Sequence, residues 1–226
     1  MNNTQIANAI KSDKLSVKRI FFLTYQIIFR NILYLAPLFI INLLIIRHFK
    51  AKYYIAYTPA LYLFTAEILD FVIFKRRQKG IFSFITAYML MSLFSLLFGG
   101  FASFFAIICY IILKRGANIL EAVYAFQTIY KGNFLFIFLN IFLQYVLYFI
   151  ITLISSFIYT MKKINFDEVA KIVDNTAKLK VYINDLSKQF TDEVLPYEYV
   201  VMHIIIAVTV YIVYNYLENK KILKGE

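Results

Sequence analysis

IFSFITAYMLMSLFSLLFGGFASFFAIICYIIL, residues 81–113, runs for thirty-three positions without a charged side chain and with one interruption, Gly99-Gly100. A stretch this long is beyond a core helix and too apolar for a loop, so it belongs in a bilayer. As one helix it would measure about 50 Å, against a hydrocarbon core of about 30 Å. One crossing is too long and two are cramped. Ser95, Gly99 and Ser103 continue a small-xxx-small register through the glycines, which favours a single close-packed helix. A break at the glycines instead gives two short membrane segments. Charge does not decide between them: either way, fifteen Lys and Arg fall on one side and nine on the other.

Composition widens this reading to the whole chain. It is 62% hydrophobic and 16% charged, where soluble domains carry about 25% charged residues. A soluble monomer is excluded. The 226 residues leave room for five or six spans and for no sizeable soluble domain beside them. The net charge of +11 does not point to nucleic acid. Arg30, Arg47, Lys75-Arg76-Arg77, Lys114-Arg115 and Lys220-Lys221 punctuate the ends of apolar runs rather than forming one polar face. The expected partner is therefore the lipid bilayer. Trp is absent, so Tyr must supply the interfacial anchors. Cys109, the single cysteine, lies in an apolar run and has no internal disulfide partner. Lys11, Lys14, Lys18 and Arg19 precede an apolar stretch that Arg30 breaks and that lacks a small-residue cleavage site, so no cleavable signal is expected.

In chain order, Val17, Ile20, Phe21, Thr24, Ile27 and Ile28 predict an amphipathic helix over 16–29 lying along the cytoplasmic surface. Spans are predicted over 31–46, with a kink at Pro37, and over 53–74, joined by the basic link 47–52. Lys75, Arg76, Arg77 and Lys79 make the densest positive cluster, which places that loop and the N-terminus in the cytoplasm. Past Lys114-Arg115, residues 118–130 read as a second surface helix ending at Gly132, followed by a span over 133–159. A polar segment and a last span over 199–217 complete the chain.

Glu121-Ala122, followed by Lys131-Gly132-Asn133-Phe134 at the start of a span, resembles a motif of an uncharacterised bacterial multi-pass superfamily. That superfamily includes the membrane domain fused to some glycerophosphodiester phosphodiesterases. Its pattern has a serine where this chain has Phe126. It also commonly breaks a long apolar region at a turn such as Pro-Gly, and Gly99-Gly100 would stand in that place. The resemblance implies an all-α integral membrane protein with about six membrane segments, 81–98 and 101–113 among them, and both ends in the cytoplasm. There are five segments if 81–113 is a single helix. The phosphodiesterase's own catalytic domain has no counterpart here.

Three groups of residues are candidates for function. Glu67 and Asp70 share one helix face, about 10 Å and about 6 Å from the cytoplasmic end of their span. Ionisable groups in a span are costly and count as functional by default. The structural alternative is an interfacial ion pair with Arg30, at the end of the adjacent antiparallel span. In the fifth segment, Asn140, Gln144, Tyr148, Thr152, Ser155 and Tyr159 repeat at three and four residues and make one continuous polar face. Such a seam either holds helices together, at about 0.6 to 2 kcal/mol per hydrogen bond, or lines a wet path for a solute. Finally, Val169, Ile172, Thr176, Leu179, Ile183, Leu186 and Phe190 predict a heptad-patterned helix over 166–194, capped by Asn165 and stopped by Pro196. Its seam must be buried on the membrane, on the protein's own body, or on a second copy or another protein.

Enzyme signatures are missing. His48 and His203 lie far apart, no nucleophile elbow or phosphate-binding glycine loop is present, and no metal or cofactor is expected. The expected function is a non-catalytic multi-pass protein of the bacterial inner membrane, serving as an assembly or envelope component. The alternatives are a permease subunit working with a separate ATPase and an intramembrane lipid-processing enzyme.

Overall fold

The computed structural model describes residues 2–12, 15–49, 54–76 and 80–223. Lys14, residues 50–52 of the link with residue 53 of the second predicted span, residues 77–79 of the basic cluster and the tail 224–226 lie outside the described residues. The described chain is all-helical: α1 Asn3–Ile10, α2 Val17–Arg30, α3 Ile32–Phe49, α4 Tyr54–Leu69, α5 Ile81–Phe98, α6 Ala106–Arg115, α7 Ile119–Tyr130, α8 Phe134–Lys163, α9 Phe166–Ile172, α10 Thr176–Glu193 and α11 Leu195–Leu223. A π-helical turn, Asp70–Phe74, extends α4, and a 3₁₀ segment, Gly99–Phe105, joins α5 to α6.

Helix α11 is the axis of the bundle. Its apolar window is 89% buried, against 17% for α5 and 22% for α8. All three are long and apolar enough to cross a membrane; α2 and α3 together make a fourth candidate bent by 85°. The bend falls at Asn31, whose side-chain amide donates to the Ile27 carbonyl and closes the end of α2.

The central run reverses. Gly99 adopts φ +54, a conformation that costs residues with a Cβ, and α6 returns along α5. Phe105 stacks on Phe94 and Phe98, Cys109 meets Met91, and Gly116 lies beside Ser83. The serine-glycine register that suggested one long helix therefore yields to the backbone freedom of the glycine.

Two predicted packing arrangements change. Helix α2 forms where expected, but Ile20, Leu23, Thr24 and Ile27 are buried. This face packs on α11, with a Thr24–Thr209 hydroxyl contact of 3.1 Å, and it is Phe22 and Phe29 that are left exposed. The heptad segment is two helices rather than one over 166–194. Asn175 breaks it by accepting the Lys178 N–H as an N-cap, and the Asn165 N–H donates to the Tyr182 hydroxyl, folding α9 back on α10. A straight α-helix then turns Leu179, Tyr182, Leu186 and Phe190 inward, while Ile183 drifts off the seam and is 55% exposed. Pro196 stands in the first turn of α11, where a proline's missing N–H costs nothing. One helix had no counterpart in the sequence reading: α1, which buries Ile6, Ala7, Ala9 and Ile10 beside the π turn.

Candidate functional site

Three helices run parallel at the centre, and each carries a four-residue ladder. Helix α4 contributes Thr58, Tyr62, Ala66 and Asp70; α11 contributes Tyr199, His203, Ala207, Tyr211 and Asn215; α6 contributes Ala106, Tyr110 and Lys114. Side chains four apart stack on one helix face, so the ladders meet rung by rung.

At one end, Thr58 and Tyr199 share a hydroxyl contact of 2.7 Å. One turn inward, Tyr62 meets Nδ1 of His203 at 3.3 Å. The register then sets Ala66 opposite Ala207, and the gap left by these small residues admits the Tyr110 hydroxyl. This donates toward the carbonyls of Tyr62 and Ala207, at 3.2 and 3.4 Å. Nearby, Ser103 of the 3₁₀ segment meets the Tyr145 hydroxyl at 3.1 Å.

The last rung holds charge. Lys114 Nζ donates to Asp70 Oδ1 at 2.9 Å and to Asn215 Oδ1 at 3.0 Å. The Tyr211 hydroxyl donates to the same Asp70 oxygen at 2.7 Å. The two ionic side chains are only 8% and 11% exposed. The ammonium also lies 4.5 and 4.9 Å from the Tyr211 and Tyr214 ring centres, close enough for cation–π attraction. Asp70 opens the π turn, and its carbonyl accepts from both the Lys75 and Arg76 N–H groups. One turn further out, Arg115 donates to Glu218 at 3.0 Å.

This pairing replaces the predicted one. Arg30 is exposed at the α2–α3 corner, and Asp70 pairs with Lys114 because α6 turns back and runs alongside α4. Glu67 stands one position off the ladder, half-buried, and is not a free carboxylate. Sequence reasoning missed Lys114, Tyr211 and Asn215. Lys114 looks like any interfacial lysine, whereas the spacing of Tyr199, His203, Tyr211 and Asn215 was a signal available on α11.

The polar face of α8 holds together as a seam. Gln144 accepts from the Tyr25 hydroxyl of α2 at 3.2 Å. Thr152 donates to Glu198 of α11 and Tyr159 to Glu193 of α10, both at 2.8 Å. Asn140 and Ser155 donate back to carbonyls of their own helix. Gln144 and Tyr148 line a cleft of about 200 Å³ whose other walls include Leu147, Ile151 and Ile205.

The surface motif around 121–134 also has a local role. Asn118 and Glu121 cap each other's backbone at the start of α7, Ala122 is fully buried, and Gly132 turns the chain at φ +81. Phe126, Tyr130 and Phe134 pack in succession across that corner, the first pair tilted and the second edge to face.

Chemically, the column aligns hydroxyls, an imidazole and a neutralised ion pair. Among the described residues no three His, Cys, Asp or Glu side chains converge as metal ligands. The fold and column define an all-helical protein with three to four helices able to span a membrane. No known family, curated protein or solved structure matches the chain.

Proposed function

We propose that this is a multi-pass protein of the bacterial inner membrane that acts without catalysis, as an assembly or envelope component. The six segments are α2 bent into α3, whose α2 part lies against the middle of α11 at Thr209, α4 with its π turn, α5, the 3₁₀ segment with α6, α8 and α11. Both ends of the chain lie in the cytoplasm. Leu33, Phe82 and Leu96 are 84%, 82% and 70% exposed, surface that water does not tolerate in quantity and lipid does. Lys11, Lys75, Arg76, Lys114, Arg115 and Lys220 gather at the end where α4, α6 and α11 finish, as the positive-inside bias requires of a cytoplasmic face. Helices α9 and α10 then stand at the outer face.

The observation that carries the functional reading is on those two helices. They are polar, yet Phe166, Val173, Val181 and Ile183 are 64%, 52%, 60% and 55% exposed, apolar surface on both flanks of the pair, suited to a protein partner or a second copy. The column, and Gln144, Thr152 and Tyr159 of the α8 seam, bond across helices, which favours cohesion over a solute path or an active site. A photo-crosslinking residue at Val181 tests this in living cells. The expected result is one discrete protein adduct that disappears with Ala177→Asp, one turn before Val181 on the same face, while the membrane level of the chain is unchanged. Labelling of lipid alone, or copurification of an ATPase, would count against it and favour the alternatives.

A further inference from the structure

A groove of about 730 Å³ opens between the second half of α3, the end of α10 and the start of α11. Its two walls differ in kind. Ile40, Leu43 and Leu44 line the α3 side, with Ile40 54% and Leu44 62% exposed. They share one helix face with Arg47, which ends that wall. From Ile40 to Arg47 is about 10 Å along the axis. The facing wall supplies Lys188, Thr191 and Asp192 from α10.

The charges at the mouth are unequal. Glu193 also lines the groove, but its carboxylate accepts from Tyr159 and lies 3.5 Å from Lys163. Among the described residues, the side chains of Arg47, Lys188 and Asp192 form no ion pair or hydrogen bond. The mouth therefore presents two uncommitted cations and one uncommitted carboxylate above an apolar wall.

We propose that this groove is a specific site for a membrane phospholipid with an ethanolamine headgroup. One acyl chain lies along Ile40, Leu43 and Leu44. The phosphodiester sits between Arg47 and Lys188, where a guanidinium and an ammonium are well matched to its oxygens, and the primary ammonium meets Asp192. The two cations and one carboxylate fit this zwitterion better than an anionic lipid such as phosphatidylglycerol, whose headgroup offers Asp192 hydroxyls but no cation. Lipid that merely surrounds the protein needs no such segregation of charge.

The inference rests on the membrane reading above. The test is native mass spectrometry of the full chain released from detergent, after incubation with phosphatidylethanolamine, phosphatidylglycerol or phosphatidylcholine at equal mole fraction. The expected result is one phosphatidylethanolamine retained per chain, in preference to the other two. R47Q/K188Q lowers its retention at least tenfold, R47K/K188R keeps it, and D192N removes the preference over phosphatidylglycerol. Lys171→Gln, on α9, changes nothing. Equal retention by wild type and R47Q/K188Q, or retention blind to headgroup, would overturn the site. Those results would leave the membrane reading standing, whereas a chain that stays monodisperse in water without detergent would overturn both.

Discussion

Asp70 Oδ1 takes two donors at once, the Lys114 ammonium and the Tyr211 hydroxyl. Both ionic groups are shielded, so removing one leaves an uncompensated charge in a poor solvent for it. Lys114→Met should therefore cost about 3–5 kcal/mol, read by unfolding in mixed micelles. The D70N/K114M pair should cost clearly less than the two single changes summed, because no charge is left behind. A single-variant loss below about 1 kcal/mol would mean that the pair is solvated like a surface one. Glu193 lies outside the bundle, and there the hydrogen bond from Tyr159, with Lys163 nearby, holds its carboxyl below the ordinary value of 4.5. A lowered native value stabilises the folded form above the ordinary pKa, and the contribution is lost as pH falls through the native one. Acidification below pH 4.5 should therefore loosen α10 from α8, raising hydrogen exchange near Glu193, and Glu193→Gln should flatten that response. The ionisable group in the span was legible in the sequence, but its partner was not. A lysine closing an apolar run reads as interfacial until it is known that α6 runs alongside α4.

Helix boundaries were more legible than helix contacts, since capping and apolar length are local while packing is not. Asn165 and the Asn118–Glu121 box cap their helices, and the amphipathic face of α2 is the face that is buried. What covers that face is α11 rather than lipid, which no periodicity could state. The heptad reading failed because the cap at Asn175 splits the segment and, in the straight α10 that follows, a 3.6-residue helix carries Ile183 off a 3.5-residue seam. Gly99 decides the central run. An alanine there would meet nothing within 4 Å, so its effect is backbone strain alone at φ 54, ψ −127, and Gly99→Ala should cost about 1–3 kcal/mol. Gly99→Asn should be no milder, because ψ −127 lies outside the left-handed helical region that Asn tolerates. Thermal unfolding in detergent measures both, and an alanine variant as stable as wild type would contradict the strained turn.

Across the whole molecule, one buried helix organises the rest. Parallel α4 and α6 hold α11 through their four-residue ladders, while the largely exposed α5 and α8 present apolar surface outward. An apolar chain with basic punctuation made the class legible. The column was not, because it emerges only when three ladders from distant parts of the chain lie in register. The arrangement puts α9 and α10 at the end of the bundle opposite the Asp70–Lys114 pair. If α5 and α6 are two membrane segments, that end faces outward. The measurement that tests this most directly is labelling of a single cysteine at Asn175 with a membrane-impermeant reagent in intact cells, after Cys109→Ser. The account predicts labelling from outside. Protection until the cells are opened would place α9 and α10 in the cytoplasm and contradict the reversal at Gly99 as a membrane re-crossing.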